Sequence, residues 1–170
     1  MKRWIFLIAL GGTGAAILRS FGFEGIYIAT PSMEPTIPVG TSFFVDKISF
    51  IFRNPRRSEI IVLASPVEET KDLVKRVIGL PGETISIKEK HVYIGGQEIR
   101  EPYAKYTRKD EILAGDNLPE MKIPKDSFFV MGDNRDESND SASWRDPKTH
   151  ERIYFMKKEQ IKGRLMNVLE

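Results

Sequence analysis

Residues 72–96 read DLVKRVIGLPGETISIKEKHVYIGG. Asp72 to Ile78 is rich in β-branched residues and stops at Gly79-Leu80-Pro81-Gly82, a cluster that ends a strand in a turn. Thr84–Ile87 and His91–Ile94 then flank Lys88-Glu89-Lys90, and Gly95-Gly96 turns the chain again. That order predicts a strand, a hairpin and a further strand. Working outward, Thr41–Asp46, Glu59–Ala64 and Ser127–Met131 have the same character, with Asn54-Pro55 as punctuation. A strand is expected at Ile153–Phe155, while the stretch around Gly163-Arg164-Leu165 cannot be typed. Many short strands with Gly and Pro turns and no long amphipathic helix predict a mainly β fold, with an antiparallel sheet core of sandwich or barrel-like form. Residues 88–122, rich in Tyr, Lys and Glu, read as a β-rich excursion inserted between core strands.

A chain of 170 residues with 41% hydrophobic content suffices for one domain with a continuous core. A net charge of +2 gives no nucleic-acid footprint. The absence of cysteine removes thiol catalysis, Cys-ligated zinc and disulfides. At the N-terminus Lys2-Arg3 precede an uncharged run from Trp4 to Leu18, closed by Arg19. This run is short of the roughly 20 residues that span a bilayer, so it fits a cleaved signal peptide with its exit near Thr13-Gly14-Ala15. It also fits a retained anchor, with Arg19 snorkelling and Phe21-Gly22-Phe23 extending the span. The expectation is one transmembrane helix at residues 1–23, its N-terminus cytoplasmic by the positive-inside rule, and one extracytoplasmic domain at 24–170.

Hydrolytic chemistry at a carbonyl needs a nucleophile, a base and oxyanion donors. The two histidines, His91 and His150, lie beside a hairpin turn and in a polar run, which are surface settings. No His-Glu-x-x-His spacing exists to hold zinc, so neither a metal nor a cofactor is expected. A Ser/Lys pair remains open. Lys75 sits among Leu73, Val74, Val77 and Ile78; it is either a strand-edge lysine reaching water or a buried one whose ammonium is disfavoured. An unperturbed lysine titrates at about 10.4, so a base that works near neutrality needs that value lowered by about three, which burial can achieve. Ser32 alone reads as a turn residue, yet Pro31, Pro35 and Pro38 hold it on a stiff segment.

Pro31-Ser32-Met33-Glu34-Pro35-Thr36, Lys75-Arg76-Val77-Ile78-Gly79-Leu80-Pro81-Gly82-Glu83, and Gly132-Asp133-Asn134-Arg135-Asp136 with Ser138, Asp140 and Ser141 together resemble three signature segments of the type I signal peptidases. Arg57–Val62 resembles the strand between the first two. The resemblance runs in order from Ala29 to Ser141. It implies a membrane-bound serine endopeptidase, with Ser32 as nucleophile and Lys75 as general base, that removes signal peptides from exported preproteins after small residues of Ala-x-Ala type. It further implies an oxyanion site formed by the Ser32 N–H and the Thr30 hydroxyl. Ser138 would orient Lys75, Asp140 would brace that region, and Ile28, Ala29 and Val74 would line the substrate pockets. Gly132 to Arg135 would be a positioning turn. Residence in the cell (inner) membrane follows, with the Ile48–Phe52 run against lipid and Phe43 and Phe44 either against lipid or in an ordinary core strand.

One departure stands out. The family pattern continues after Asp140-Ser141 with Arg, one residue, an aromatic and Gly, whereas Ala142-Ser143-Trp144-Arg145 follow. Asp140 therefore lacks its usual ionic partner, and Arg145 or Arg135 are the candidates to replace it. Two rival readings are a conjugation-type processing peptidase with one dedicated substrate and a catalytically silent, membrane-tethered β-domain that binds peptides.

Overall fold

β3 (Ile60–Ala64) and β4 (Asp72–Gly79) form the antiparallel ladder around which the other strands assemble, with Ile61 opposite Lys75 and Val62 opposite Val74. The computed structural model describes residues 22–68 and 70–166. Four more strands and a short terminal one complete a seven-stranded antiparallel sheet: β1 (Phe23–Tyr27), β2 (Ser42–Asp46), β9 (Ser127–Met131), β10 (Met156–Lys157) and β11 (Ile161–Leu165), in the order β1-β2-β11-β3-β4-β9-β10. β5 (Thr84–Lys88), β6 (His91–Ile94), β7 (Gln97–Glu98) and β8 (Leu118–Lys122) form a second sheet, ordered β7-β6-β5-β8.

β3 is an unbroken apolar run because both faces of the large sheet are covered. Successive side chains point to opposite faces. Ile60 and Val62 thus join Ile28, Met33, Ile37, Val45 and Leu165 on one side. Ile61 and Leu63 join Val77, Phe128, Val130, Trp144 and Met156 on the other. A third cluster seals the two sheets together: Ile78, Phe129 and Met131 of the large sheet pack against Ile85, Ile87, Val92 and Leu118 of the small one.

Residues 88–122, read from the sequence as an excursion, belong to the small sheet, which starts earlier, at Thr84. The reason is pairing: β5 bonds to β6 and β8 and to no strand of the large sheet. Both hairpin turns are two-residue turns with positive φ, at Glu89 and Lys90 and at Gly95 and Gly96. Glycine accepts that conformation freely. Glu89 and Lys90 are held in it by backbone donation to Asn117 Oδ1 and Asp116 O, each at 3.0 Å.

Two expectations are corrected, and one stretch left open by the sequence is now typed. The strand expected at Ile153–Phe155 forms later, at Met156–Lys157, because Ile153 is tied by its N–H to Trp144 O while Tyr154 and Phe155 turn onto the seam between the sheets. The stretch around Gly163 is β11, which fills the gap between β2 and β3. Of the lipid-facing set, Phe43 and Phe50 pack inward, whereas Phe44, Ile51 and Phe52 are 61%, 71% and 82% exposed, the last two on the short helix α1 (Ser49–Phe52). The N-terminal anchor lies outside the described residues except for Gly22 and Phe23, and Phe23 opens β1. Among the described residues no helix is long and apolar enough to cross a membrane.

Gly163 shows why β11 is hard to read. A Cβ there would lie 2.6 Å from both the Asp46 carbonyl oxygen and Val45 Cγ1, so the strand must spend a position on glycine to approach β2. Gly163→Ala is expected to lower unfolding stability by about 1–3 kcal/mol, the cost of overpacking, despite the usual gain from replacing a strand glycine. A urea midpoint equal to or above that of the parent would contradict this close approach.

Candidate active site

The segment Thr30–Ile37 links β1 to β2. Pro31–Met33 forms one turn of 3-10 helix with Pro31 at its start, where the missing N–H costs nothing. Met33 and Ile37 are buried in the core cluster that also holds Ile28 and Val74, and this anchors the turn. Ser32 is thereby set at the surface of the core, 7% exposed, with its N–H among the first amides of the turn, which lack partners inside it.

Lys75 approaches from β4. Its Nζ donates to Ser32 Oγ at 3.0 Å, and the residue is 2% exposed. Burial pushes its pKa from the ordinary 10.5 down to about 8, against the opposing pull of Asp140 and Asp133. The snorkelling alternative is thus excluded by the side chain's position. A hydroxyl and a partly deprotonated amine in direct hydrogen-bond contact form a nucleophile–base pair in geometry. Thr30 Oγ1 lies 3.2 Å from Ser32 Oγ, on an extended backbone.

The Gly132–Asp136 segment, which follows β9, clasps this pair from behind. Asn134 donates its N–H to Ser32 O at 3.1 Å and its side-chain amide to Pro31 O at 3.2 Å. Gly132 lies so close to Ser32 O and the Ser138 side chain that a Cβ would overlap both. Asp133 accepts a two-pronged ion pair from Arg76, Nε to Oδ1 at 2.8 Å and Nη2 to Oδ2 at 2.6 Å, with both side chains buried. Arg76 also donates to Ser58 O, and its guanidinium stacks 4.0 Å from the centre of the Tyr103 ring.

Two sequence expectations change. Asp140 is paired with neither Arg145 nor Arg135: its carboxylate accepts the N–H groups of Gly132 at 2.8 Å and Ala142 at 3.0 Å. Backbone amides replace the arginine because the chain turns tightly around the carboxylate. Arg145 donates to His150 O, and Arg135 binds Glu101. Ser138 does not hydrogen-bond Lys75; its Oγ is buried without a partner. It lies against the same face of Gly132 as Ser32 O and lines a cavity of about 240 Å³ bounded by Lys90, Tyr106, Arg135 and Asp140.

Of the expected pocket residues, Ile28 and Val74 meet in one cluster, while Ala29 is exposed beside Thr30. β4 pairs with β9 only from Arg76 onward, so among the described residues the edge of Asp72–Lys75 on that side has no strand beside it. His91 is exposed and bonded to Glu98, and His150 is exposed in a turn; both lie apart from the pair. Met33, Ile37 and the pairing of Arg76 with Asp133 were not read from the sequence, and Asp133 and Asn134 were read only as part of a positioning turn. The one available signal was a pair of opposite charges, one in each of two signature segments.

The family model described as signal peptidase, peptidase S26, matches residues 1–169. A signal peptidase I P from Bacillus subtilis subsp. natto is 39% identical over 144 residues, covering 82% of this chain and 77% of that protein. A signal peptidase I from Leptolyngbya laminosa is 42% identical over 135 residues, 75% of this chain and 63% of that one. A solved signal peptidase I from Enterococcus faecalis aligns with a TM-score of 0.49 at 29% identity, covering 66% of this chain and 97% of that one. With the match extending over nearly every residue, this chain belongs to the signal peptidase family, peptidase S26.

Proposed function

We propose that this chain is a membrane-bound signal peptidase in which Ser32 and Lys75 cut the bond between a signal peptide and an exported preprotein. The observation that carries the reading is the 3.0 Å contact between Ser32 Oγ and the buried Lys75 Nζ. Neutral Lys75 takes the hydroxyl proton as Oγ attacks the scissile carbonyl. The resulting oxyanion is held by the Ser32 N–H and the Thr30 hydroxyl. The Lys75 ammonium then protonates the leaving amine, and an acyl-enzyme remains on Ser32. Water, deprotonated by Lys75, releases the signal peptide with its new carboxylate.

The substrate enters as an extended strand. The unpaired edge of Asp72–Lys75 offers main-chain hydrogen bonds on one side and Ile28–Thr30 on the other, the mode of β-strand addition. Ile28 and Val74 give shallow apolar pockets in which only small side chains fit, and Met33 and Ile37 form their floor. The apolar segment at residues 1–23 anchors the chain, and Phe44, Ile51 and Phe52 rest in the bilayer interface. The names of the relatives favour this reading over a conjugation-type peptidase. A silent peptide binder is disfavoured because it has no use for a buried amine in contact with a serine.

Ser32→Ala and Lys75→Met are each expected to abolish cleavage of a signal-peptide substrate by the chain in detergent micelles. Turnover at the parental rate by either folded variant would overturn the dyad. Thr30→Val should lower kcat by about 10²- to 10³-fold, the scale of one oxyanion donor, and an unchanged kcat would remove Thr30 from that role.

The pH dependence has two sides. Activity requires neutral Lys75, so kcat/KM should rise with pH through about 8; a profile that falls over that range would contradict a lysine base. Stability moves through the same group. Its folded pKa lies below the unfolded value, so folding carries the full penalty of a buried charge below about pH 8, and the penalty disappears as pH rises toward 10.5. Lys75→Met should therefore raise unfolding stability by about 1–3 kcal/mol at neutral pH, with the gain shrinking above pH 8. Denaturant midpoints at pH 7 and 10 test this, and a loss of stability at pH 7 would refute it.

A further inference from the structure

The small sheet and its loops bring one carboxylate to the back of the catalytic pair, and no sequence motif singles it out. Glu101, on the chain after β7, has only 8% of its side chain exposed. It accepts a forked pair of bonds from Arg135, Nη1 to Oε2 at 2.9 Å and Nη2 to Oε1 at 2.7 Å; the Arg135 side chain is 3% exposed. Forked guanidinium–carboxylate pairing fixes orientation as well as distance. The third nitrogen of that guanidinium, Nε, donates to Gly132 O at 3.0 Å.

Gly132 is the residue that cannot move independently. Its N–H is held by Asp140, and its Cα sits against Ser32 O and Ser138. Its neighbour Asp133 is locked to Arg76, the residue next to Lys75. Glu101 also accepts from the Tyr103 hydroxyl at 3.1 Å, and the Tyr103 ring carries the Arg76 guanidinium on its face. One carboxylate is therefore joined by two routes to the two sides of the dyad: through Arg135 and Gly132 to Ser32, and through Tyr103 and Arg76 to Lys75. Two further contacts tighten the same clasp, Lys105 N–H to Asp133 O at 2.7 Å and Arg135 N–H to Lys105 O at 2.9 Å.

Resting on the reading of Ser32 and Lys75 as the catalytic pair, we propose that Glu101 is a positioning residue that sets the separation of Ser32 and Lys75 through Arg135, so that the excursion is part of the catalytic apparatus. Glu101 touches neither substrate nor reacting atoms. Removing its charge leaves the Arg135 side chain buried and unpaired, with Gly132 O and the Tyr106 hydroxyl, at 3.3 Å, as its remaining partners. The guanidinium then shifts, Gly132 moves with it, and Ser32 loses its backing. A displacement of about 1 Å at a catalytic group costs on the order of 10²-fold in rate, while the main chain of Asp72–Lys75, which takes the substrate strand, stays fixed by its ladder with β3.

The experiment is steady-state cleavage of a signal-peptide substrate by the full chain in detergent micelles. Glu101→Gln is expected to lower kcat by about 10- to 100-fold with KM within about twofold of the parent. Glu101→Asp, which keeps the charge, should recover part of the loss. The double variant Glu101→Gln/Arg135→Gln should lose no more than the worse single variant, because the two residues act as one unit. A folded Glu101→Gln enzyme with parental kcat, a loss confined to KM, or multiplicative losses in the double variant would each overturn the proposal. If Glu101→Gln does not fold, Tyr103→Phe gives the same reading: kcat falls with KM unchanged, and parental kcat overturns it. An active Lys75→Met would instead overturn the dyad itself, so the two failures are distinguishable.

Discussion

An amine that is to serve as a base beside Ser32 must be buried, yet no carboxylate may be free to claim it. Desolvation lowers the pKa of Lys75, and a directly paired carboxylate would raise it again. Three carboxylates surround the site, and each is occupied by another donor. Asp133 is taken by Arg76, Asp140 by the amides of Gly132 and Ala142, and Glu101 by Arg135. The fields of Asp140 and Asp133 still reach Lys75, but their lone pairs do not. The pairings therefore keep the direct contact of Nζ for a hydroxyl.

The fold follows from the need to deliver those partners. β4 carries Lys75 and Arg76, β9 leads into Gly132–Asp136, and their ladder begins only at Arg76. That late start keeps the edge of Asp72–Lys75 open while bringing Asp133 to Arg76. The small sheet then approaches from the other side of β4 and β9 through Ile78, Phe129 and Met131, and its loops supply Glu101, Tyr103 and Lys105. A core cluster and a polar clasp thus hold the same two strands, one by excluded water and the other by directed bonds.

The sequence made legible what depends on local pattern. Apolar runs found β3, β4 and β9, the β-rich segments on either side of Lys88-Glu89-Lys90 found the first hairpin of the small sheet, and Gly95-Gly96 marked the turn into the next strand. Ser32 and Lys75 were placed by their segments and by order along the chain, and the structure brings them into contact. What stayed hidden depends on distant partners. Lys162, Gly163 and Arg164 obscure the strand character of β11 because Gly163 answers to the Asp46 carbonyl across the sheet. Asp140 was assigned an arginine partner because backbone amides leave no mark in a sequence. Glu101 lies in the excursion with no motif around it, and only the fold brings Arg135 to it.

Lys75 and Arg76 show how far context governs chemistry. They are adjacent on one strand, both long and both cationic in water. Arg76 meets a carboxylate that fits its fork, an aromatic face and a backbone carbonyl, and a guanidinium stays charged at any accessible pH. Lys75 meets a hydroxyl and apolar walls, and a primary amine can give up its proton there. Exchanging the two would place a permanent cation against Ser32 and a single-point donor opposite Asp133. The order lysine then arginine is thus a requirement of the arrangement: the titratable cation must face the Ser32 hydroxyl and the permanent one must face the carboxylate.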